Sequence, residues 1–343
     1  MRKTLRTLFL VFAISVLATV IGMGCDSDGK SVKLWAINST ETTTQQTTDI
    51  DSDSQKLTVS MAKGESEGAQ LMITANRDVK VELVEVSRPK NGVSYLPSDS
   101  VAVYYEIYST ITHHGDSRNP RFKVGDKVSD ALLPFKTVVE YGMNNIEKGN
   151  TQGIYIEITT DSAVASGKYN SEITLILSGN KYTFPLEITV WDFDITQSTM
   201  KNYWMMTARR GQAGSAELDT TDKMATEYFE TGLKYRMNDE LPFDGTGGIE
   251  RYIEILKKYY NEPHFTLYKL YYETGFSGIQ STLLSDYIYE IAKESVKDRV
   301  NYLDKAMLYV SNLVDEPKTE EQFSRLSKYC DQFKSAKTDA VSR

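Results

Sequence analysis

Cysteine is almost missing from this 343-residue chain, with only Cys25 and Cys330 present. That excludes a disulfide-stapled scaffold and a cysteine-built zinc cluster. Histidine is as scarce, at 3 residues, and no His-Glu-x-x-His occurs, so the adjacent His113 and His114 have no motif to make them metal ligands. Positive charge is not in excess: 39 Lys and Arg against 47 Asp and Glu give −8, which leaves no electrostatic footprint for nucleic acid. Beyond the N-terminus no apolar run approaches the ~20 residues of a membrane span, which excludes a polytopic membrane protein. Gly245-Thr246-Gly247-Gly248 lacks the Lys-Ser/Thr of a phosphate loop, and nothing in the chain implies an organic cofactor.

The first residues read as an address rather than as structure. Arg2, Lys3 and Arg6 precede an apolar run of 14 residues, Leu8 to Ile21, which ends in Gly22-Met23-Gly24-Cys25. Small residues before a cysteine resemble a bacterial lipoprotein cleavage site, with Cys25 as the lipidated first residue of a membrane-anchored, exported protein. An ordinary secretory signal is the alternative. The expected organisation is a signal peptide at 1–24, a polar tether at 25–31, a β-domain at 32–196 and an α/β domain at 197–343.

Between about 32 and 194 the pattern alternates with period two. Lys56–Ala62, Gly68–Ala75, Val79–Val86, Val101–Thr110 and Ile154–Thr160 are short runs rich in Val, Ile, Thr and Tyr. Gly167–Ser178 and Lys181–Phe193 flank Gly179-Asn180, a hairpin signal. Together they predict a sandwich of two antiparallel sheets. After Trp191-Asp192-Phe193 the period changes. Short strands are expected at Lys201–Thr207, Asp239–Phe243, Phe265–Tyr272 and Ala306–Val314. Helical stripes follow each: Ala225 to Leu233, Ile249 to Tyr260, Leu284 to Ser295, and Phe323, Leu326 and Tyr329. That order predicts a parallel sheet with right-handed crossovers.

Asp315-Glu316-Pro317 follows the last of these strands. Ligands of parallel α/β sheets meet the carboxyl ends of strands, and two crowded carboxylates suit a general acid and a charge stabiliser. The competing reading is a helix start, with an acidic cap and proline in the first turn. Trp204, Tyr272 and Glu273 lie on or just after expected strands, where aromatic planes and a carboxylate suit a sugar ring. Core packing accounts for most of the 22 tyrosines.

Several segments, in order, resemble glycoside hydrolase family 123 and the domain of unknown function 4091. They are Lys63-Gly64-Glu65-Ser66-Glu67-Gly68-Ala69-Gln70, Val128 through Phe135, Asn150-Thr151-Gln152-Gly153 with Gly167-Lys168-Tyr169, Pro185 through Phe193, and Asp315-Glu316-Pro317. The resemblance implies a β-sandwich followed by a (β/α)8 TIM barrel, here apparently truncated, since about 145 residues are short of the ~250 a closed barrel uses. It implies a glycosidase acting on a glycan with a terminal β-linked N-acetylhexosamine, β-N-acetylgalactosaminide in particular, through substrate-assisted retention. The substrate's acetamido oxygen would attack the anomeric carbon while Asp315 orients the acetamido group and Glu316 serves as acid, then base. A non-catalytic glycan-binding lipoprotein and an inactive remnant are the other readings.

Overall fold

The computed structural model describes residues 31–48, 55–113, 121–195, 200–203, 222–243, 247–270, 274–275, 278–279, 281–308 and 316–342. The chain divides into two compact units, Met1–Asp194 and Ile195–Arg343.

The first unit is built from β1 (Val32–Asn38), β2 (Leu57–Lys63), β3 (Ser66–Ala75), β4 (Val79–Val86), β5 (Lys90–Asn91), β6 (Ser94–Tyr95), β7 (Val101–Thr110), β8 (Lys127–Pro134), the short helix α1 (Phe135–Glu140), β9 (Asn145–Ile146), β10 (Thr151–Thr159), β11 (Gly167–Leu177) and β12 (Asn180–Asp194). One sheet has the order β1-β3-β10-β7-β8 and is antiparallel throughout. The other has the order β2-β12-β11-β4-β9, with β5 and β6 appended beside β11. Alternation dictates what meets between them. Tyr169, Ile173, Leu175 and Leu177 of β11 and Phe184, Leu186, Ile188 and Val190 of β12 share one buried cluster with Leu71 and Ile73 of β3 and Ile154, Ile156 and Ile158 of β10. Each such side chain contributes roughly 1.5–3 kcal/mol of burial.

Three details depart from expectation. β2 runs parallel to β12, so the second sheet is mixed. The β11–β12 turn is Ser178-Gly179 rather than Gly179-Asn180, because Leu177 pairs with Asn180 and the two loop residues hold φ of 47° and 79°, as a type I′ turn requires. The outer face of the five-stranded sheet is also covered. Residues 39–48 cross it as a strap: Ser129 N donates to Thr43 O at 3.1 Å, Gln45 N to Lys127 O at 3.1 Å and Thr151 N to Gln45 O at 2.7 Å. Gln70 Nε2 donates to the carbonyls of Asn38 and Glu41, both at 2.8 Å.

The second unit holds helices α2 (Asp222–Lys234), α3 (Gly248–Tyr259), α4 (Ser281–Asp298) and α5 (Glu320–Ser342), with strands β13 (Tyr268–Lys269), β14 (Thr274–Gly275), β15 (Gly278–Ile279) and β16 (Ala306–Met307). The helices fall where the apolar stripes predict. Phe229 and Leu233 of α2, Tyr252 and Leu256 of α3, and Tyr287, Ile288 and Ile291 of α4 form its core. Phe323, assigned by its spacing to a buried face of α5, is instead 51% exposed.

Of the expected four-stranded parallel sheet, residues 204–207, 271–272 and 309–314 lie outside the described residues; the described part holds the parallel pair β13–β16, beside the small hairpin β14–β15. Asp239–Phe243 forms no strand ladder. A side chain joins the described parts of these segments. Asn238, fully buried, donates through Nδ2 to Asn202 Oδ1 at 3.3 Å and to His264 O at 3.0 Å. Its Oδ1 accepts from Thr266 N at 2.8 Å, and its backbone N donates to Asn202 Oδ1 at 3.0 Å. One asparagine thus links the segments at Asn202, Asn238 and His264–Thr266. No described helix is long and apolar enough to cross a membrane.

Candidate functional site

The residue that sequence reasoning placed at the chemistry and that the structure describes is Glu316. Its neighbour Asp315 lies outside the described residues, as do Trp204, Tyr272, Glu273 and Cys25. The structure therefore brings none of these together with Glu316.

Glu316 sits just ahead of α5. The helix start is closed by other residues: Thr319 Oγ1 accepts from Gln322 N at 3.3 Å. Gln322 Oε1 reaches back to Thr319 N at 3.0 Å and Lys318 N at 2.7 Å. This is a reciprocal capping box, Thr319-x-x-Gln322. Glu316 and Pro317 precede it and do not cap the helix, so the helix-start reading of this tripeptide is corrected for those two residues. The sequence carries the Thr-x-x-Gln signal, which the more conspicuous Asp-Glu-Pro concealed. Glu316 also holds a left-handed φ of 43°, unusual for a residue with a Cβ. Its carboxylate is 79% exposed and lies 3.4 Å from Lys318 Nζ, itself 78% exposed. An exposed pair of this kind contributes little to stability.

Deeper in the unit a second polar group stands on the parallel pair. Tyr268 and Leu270 are buried in the core beneath the helices. By strand alternation Lys269 takes the other face. Its ammonium is paired with Glu240 Oε1, the two side chains only 10% and 18% exposed. Tyr203 Oη donates to the same Oε1 at 3.3 Å. Lys269, Glu240 and Tyr203 thus tie the three consecutive expected strand segments on one face. Sequence reading missed this group because Glu240 follows Asn238 and Asp239 at the polar start of its segment, and a lysine inside Tyr-Lys-Leu reads as ordinary alternation.

The tyrosines of this unit are mostly core. Tyr252 meets Tyr287 edge-on at 5.2 Å and Phe243 at 5.3 Å, Tyr260 meets Tyr302 at 4.9 Å, and Phe229 meets Tyr259 at 4.8 Å. Their hydroxyls are spent inside the fold, Tyr252 on Lys269 O at 2.7 Å and Tyr268 on Tyr302 O at 3.2 Å. His113 is exposed, with Nδ1 3.0 Å from the Thr112 hydroxyl, and His114 is not described.

In the sandwich the outer face beneath the strap carries a buried acid. Glu106 is 3% exposed, and neither carboxylate oxygen has a hydrogen-bond partner among the described residues. Burial pushes its pKa up to about 7, against a weaker opposite pull from the Ser129 hydroxyl, which faces the carboxylate without completing a well-formed hydrogen bond to it. Thr43, on the strap and 1% exposed, has a hydroxyl that makes no well-formed hydrogen bond among the described residues but faces the Tyr108 phenol. Tyr108 accepts from Gly153 N at 3.2 Å, and its pKa is raised by burial and by the Glu106 charge.

No protein-family profile matches this sequence. No curated protein matches it either. Solved structures do resemble its fold. A family 123 glycoside hydrolase from Clostridium perfringens, studied for glycolipid glycan hydrolysis, superimposes with a TM-score of 0.55 at 11% identity, over 88% of this chain and 62% of that one. At that identity the likeness is one of fold. This chain spans less than two thirds of the length of that structure. Two slighter likenesses carry no argument: AvmM, a macrocyclisation catalyst of alchivemycin A biosynthesis (TM-score 0.26, 8% identity, 48% of this chain and 92% of that one), and murine CRIg (0.19, 15%, 39% and 92%).

Proposed function

We propose that this chain is the sandwich and leading barrel portion of a glycoside hydrolase that removes terminal β-linked N-acetylgalactosamine from a glycan. The observation that carries the reading is Glu316. It occupies a left-handed backbone position just before α5, does not cap that helix, and has a carboxylate that serves no buried contact. Non-glycine residues held in sparsely populated backbone regions cluster at functional sites. The fold likeness to a family 123 hydrolase and the parallel pair β13–β16 support the same reading, with the second unit as the first βα units of a (β/α)8 barrel.

The proposed chemistry follows from charge. As the glycosidic bond lengthens, positive charge grows at the anomeric carbon, and the substrate's own acetamido oxygen closes on it from within the ring's substituents. Asp315 would hold the acetamido N–H and balance that charge. Glu316 would give its proton to the departing oxygen and then take one from water. Because the nucleophile belongs to the substrate, one adjacent pair of carboxylates suffices. Lipidation at Cys25 would anchor the protein to a bacterial membrane, at the cell surface or in the periplasm.

The test is turnover of an aryl β-N-acetylgalactosaminide by the complete protein and by its Glu316→Gln variant. Loss of at least about 100-fold in kcat, with folding intact, supports the acid role. Equal turnover removes Glu316 from the mechanism.

A second reading rests on the exposure of Glu316. A general acid works best where water is excluded, and a carboxylate 79% exposed beside Lys318 is not in such a place. On that reading the chain binds glycan without cleaving it. Glycan-array binding with no turnover by the complete protein identifies this case.

A further inference from the structure

A cavity of about 480 Å3 opens in the second unit between β16 and α5. Its volume is within the roughly 300–1,000 Å3 of small-molecule sites. Leu267, Met307, Leu308 and Phe333 supply apolar walls, and Cys330 faces it from α5. Among the described residues, Lys201, Lys305 and Lys334 stand around it against a single acid, Asp304. This is a local excess of positive charge in a chain of net charge −8. Glu316 is not among the lining residues. Its lining from this part of the chain runs from Asp304 to Leu308, along the whole of β16.

The three lysines are not equivalent. Lys305 donates to the carbonyls of Tyr260 and Phe265, both at 2.6 Å, and its ammonium stands over the Tyr260 ring at 4.6 Å. It is committed to holding the loop. Lys201 and Lys334 are exposed and make no ion pair among the described residues. Two ammonium groups without counter-ions among those residues therefore flank an apolar hollow. Water fills such a hollow poorly, and an anionic group at its rim meets charge without having to displace an internal partner.

We propose that this cavity binds a small anionic amphiphile, an alkyl chain within the walls and a carboxylate between Lys201 and Lys334. The ligand is selected by two separate features. Chain length is read by the walls, and the sign of the head group is read by the rim.

Cys330 provides the readout. Its peptide is followed by mass spectrometry during alkylation of the full chain with iodoacetamide, with each amphiphile kept below its micellar concentration. Dodecanoate is expected to slow alkylation at least fivefold. Decanoate, two methylenes shorter, needs about tenfold more ligand for the same effect. Dodecyltrimethylammonium, with the same tail and the opposite head, leaves the rate unchanged. Reversing both free charges in Lys201→Glu with Lys334→Glu exchanges the preference between the two heads. These substitutions are at the surface and leave the core intact. Calorimetric titration of dodecanoate gives a check that does not use the thiol, with saturable one-to-one binding expected. No protection and no saturable heat overturns the proposal. So does equal protection by both amphiphiles, or a carboxylate preference that survives the double reversal.

Discussion

Glu106 is the clearest case of a side chain whose surroundings set its chemistry. Unfolded, its carboxyl titrates near 4.5; beneath the strap its pKa is about 7, raised by burial. The folded state therefore keeps its proton to higher pH than the unfolded state does. The sign follows: this group's contribution is fully present below about pH 4.5 and is lost as pH rises to about 7. The loss is on the order of 3 kcal/mol. Amide exchange of β7 and β10 should show the sandwich weaker at pH 8 than at pH 5, and Glu106→Gln should flatten that dependence. Unchanged pH dependence in the variant would place the effect elsewhere. Gly153 belongs to the same site, since a Cβ there would lie 2.2 Å from the Glu106 carboxyl. Gly153→Ala is expected to cost about 1–3 kcal/mol in urea denaturation, most of it recovered when Glu106 is also shortened to Ala.

Among the elements, the start of α5 separates stability from the proposed chemistry. Thr319→Ala removes a cap and should cost about 1 kcal/mol with turnover unaffected, whereas Glu316→Gln should do the reverse. Urea midpoints and kinetics on the same two variants check the crossing. Asn238→Ala is a larger change, because it strips several buried hydrogen bonds at once. A loss of about 2–4 kcal/mol confined to the second unit, read by amide exchange, is the expected outcome. These two sites also mark where the sequence was legible. The strands of the sandwich are plain in Tyr169, Ile173 and Leu175 alternating with polar residues, and the helices are plain in stripes such as Tyr252, Leu256 and Tyr259. Asn238 is invisible to either period, since its work is done by one amide bonding across segments far apart in sequence. Glu106 is hidden for a related reason. Alternation within Val101–Thr110 marks it as outward-facing, and only the strap, a segment with no period of its own, turns outward into buried. Of the candidate site, sequence reading reached Glu316 through its position after a strand. It did not find Glu240 and Lys269, whose pairing depends on how two expected strands lie beside each other.

At the scale of the whole molecule, each of the two units has its own buried cluster, Leu71, Ile156 and Ile188 in one and Tyr252, Leu256 and Ile291 in the other. The sandwich is expected to fold without its companion. A fragment of residues 26–195 should give a single cooperative urea transition and the same pH dependence as the full chain. A fragment that collapses without protected β-strand amides would show that the second unit is required.

The pairing of β2 with β12 has a consequence for the order in which the chain acquires its shape. Leu57 to Lys63 leaves the ribosome early, yet its partner Leu186 to Asp194 follows well over a hundred residues later. Until then one border of the mixed sheet stays unzipped. Nearby pairings such as β11 with β12 carry little delay, so the slow phase of refolding should belong to this one seam. In a pulse-labelling experiment, the amides of residues 57–63 should be the last in the sandwich to gain protection.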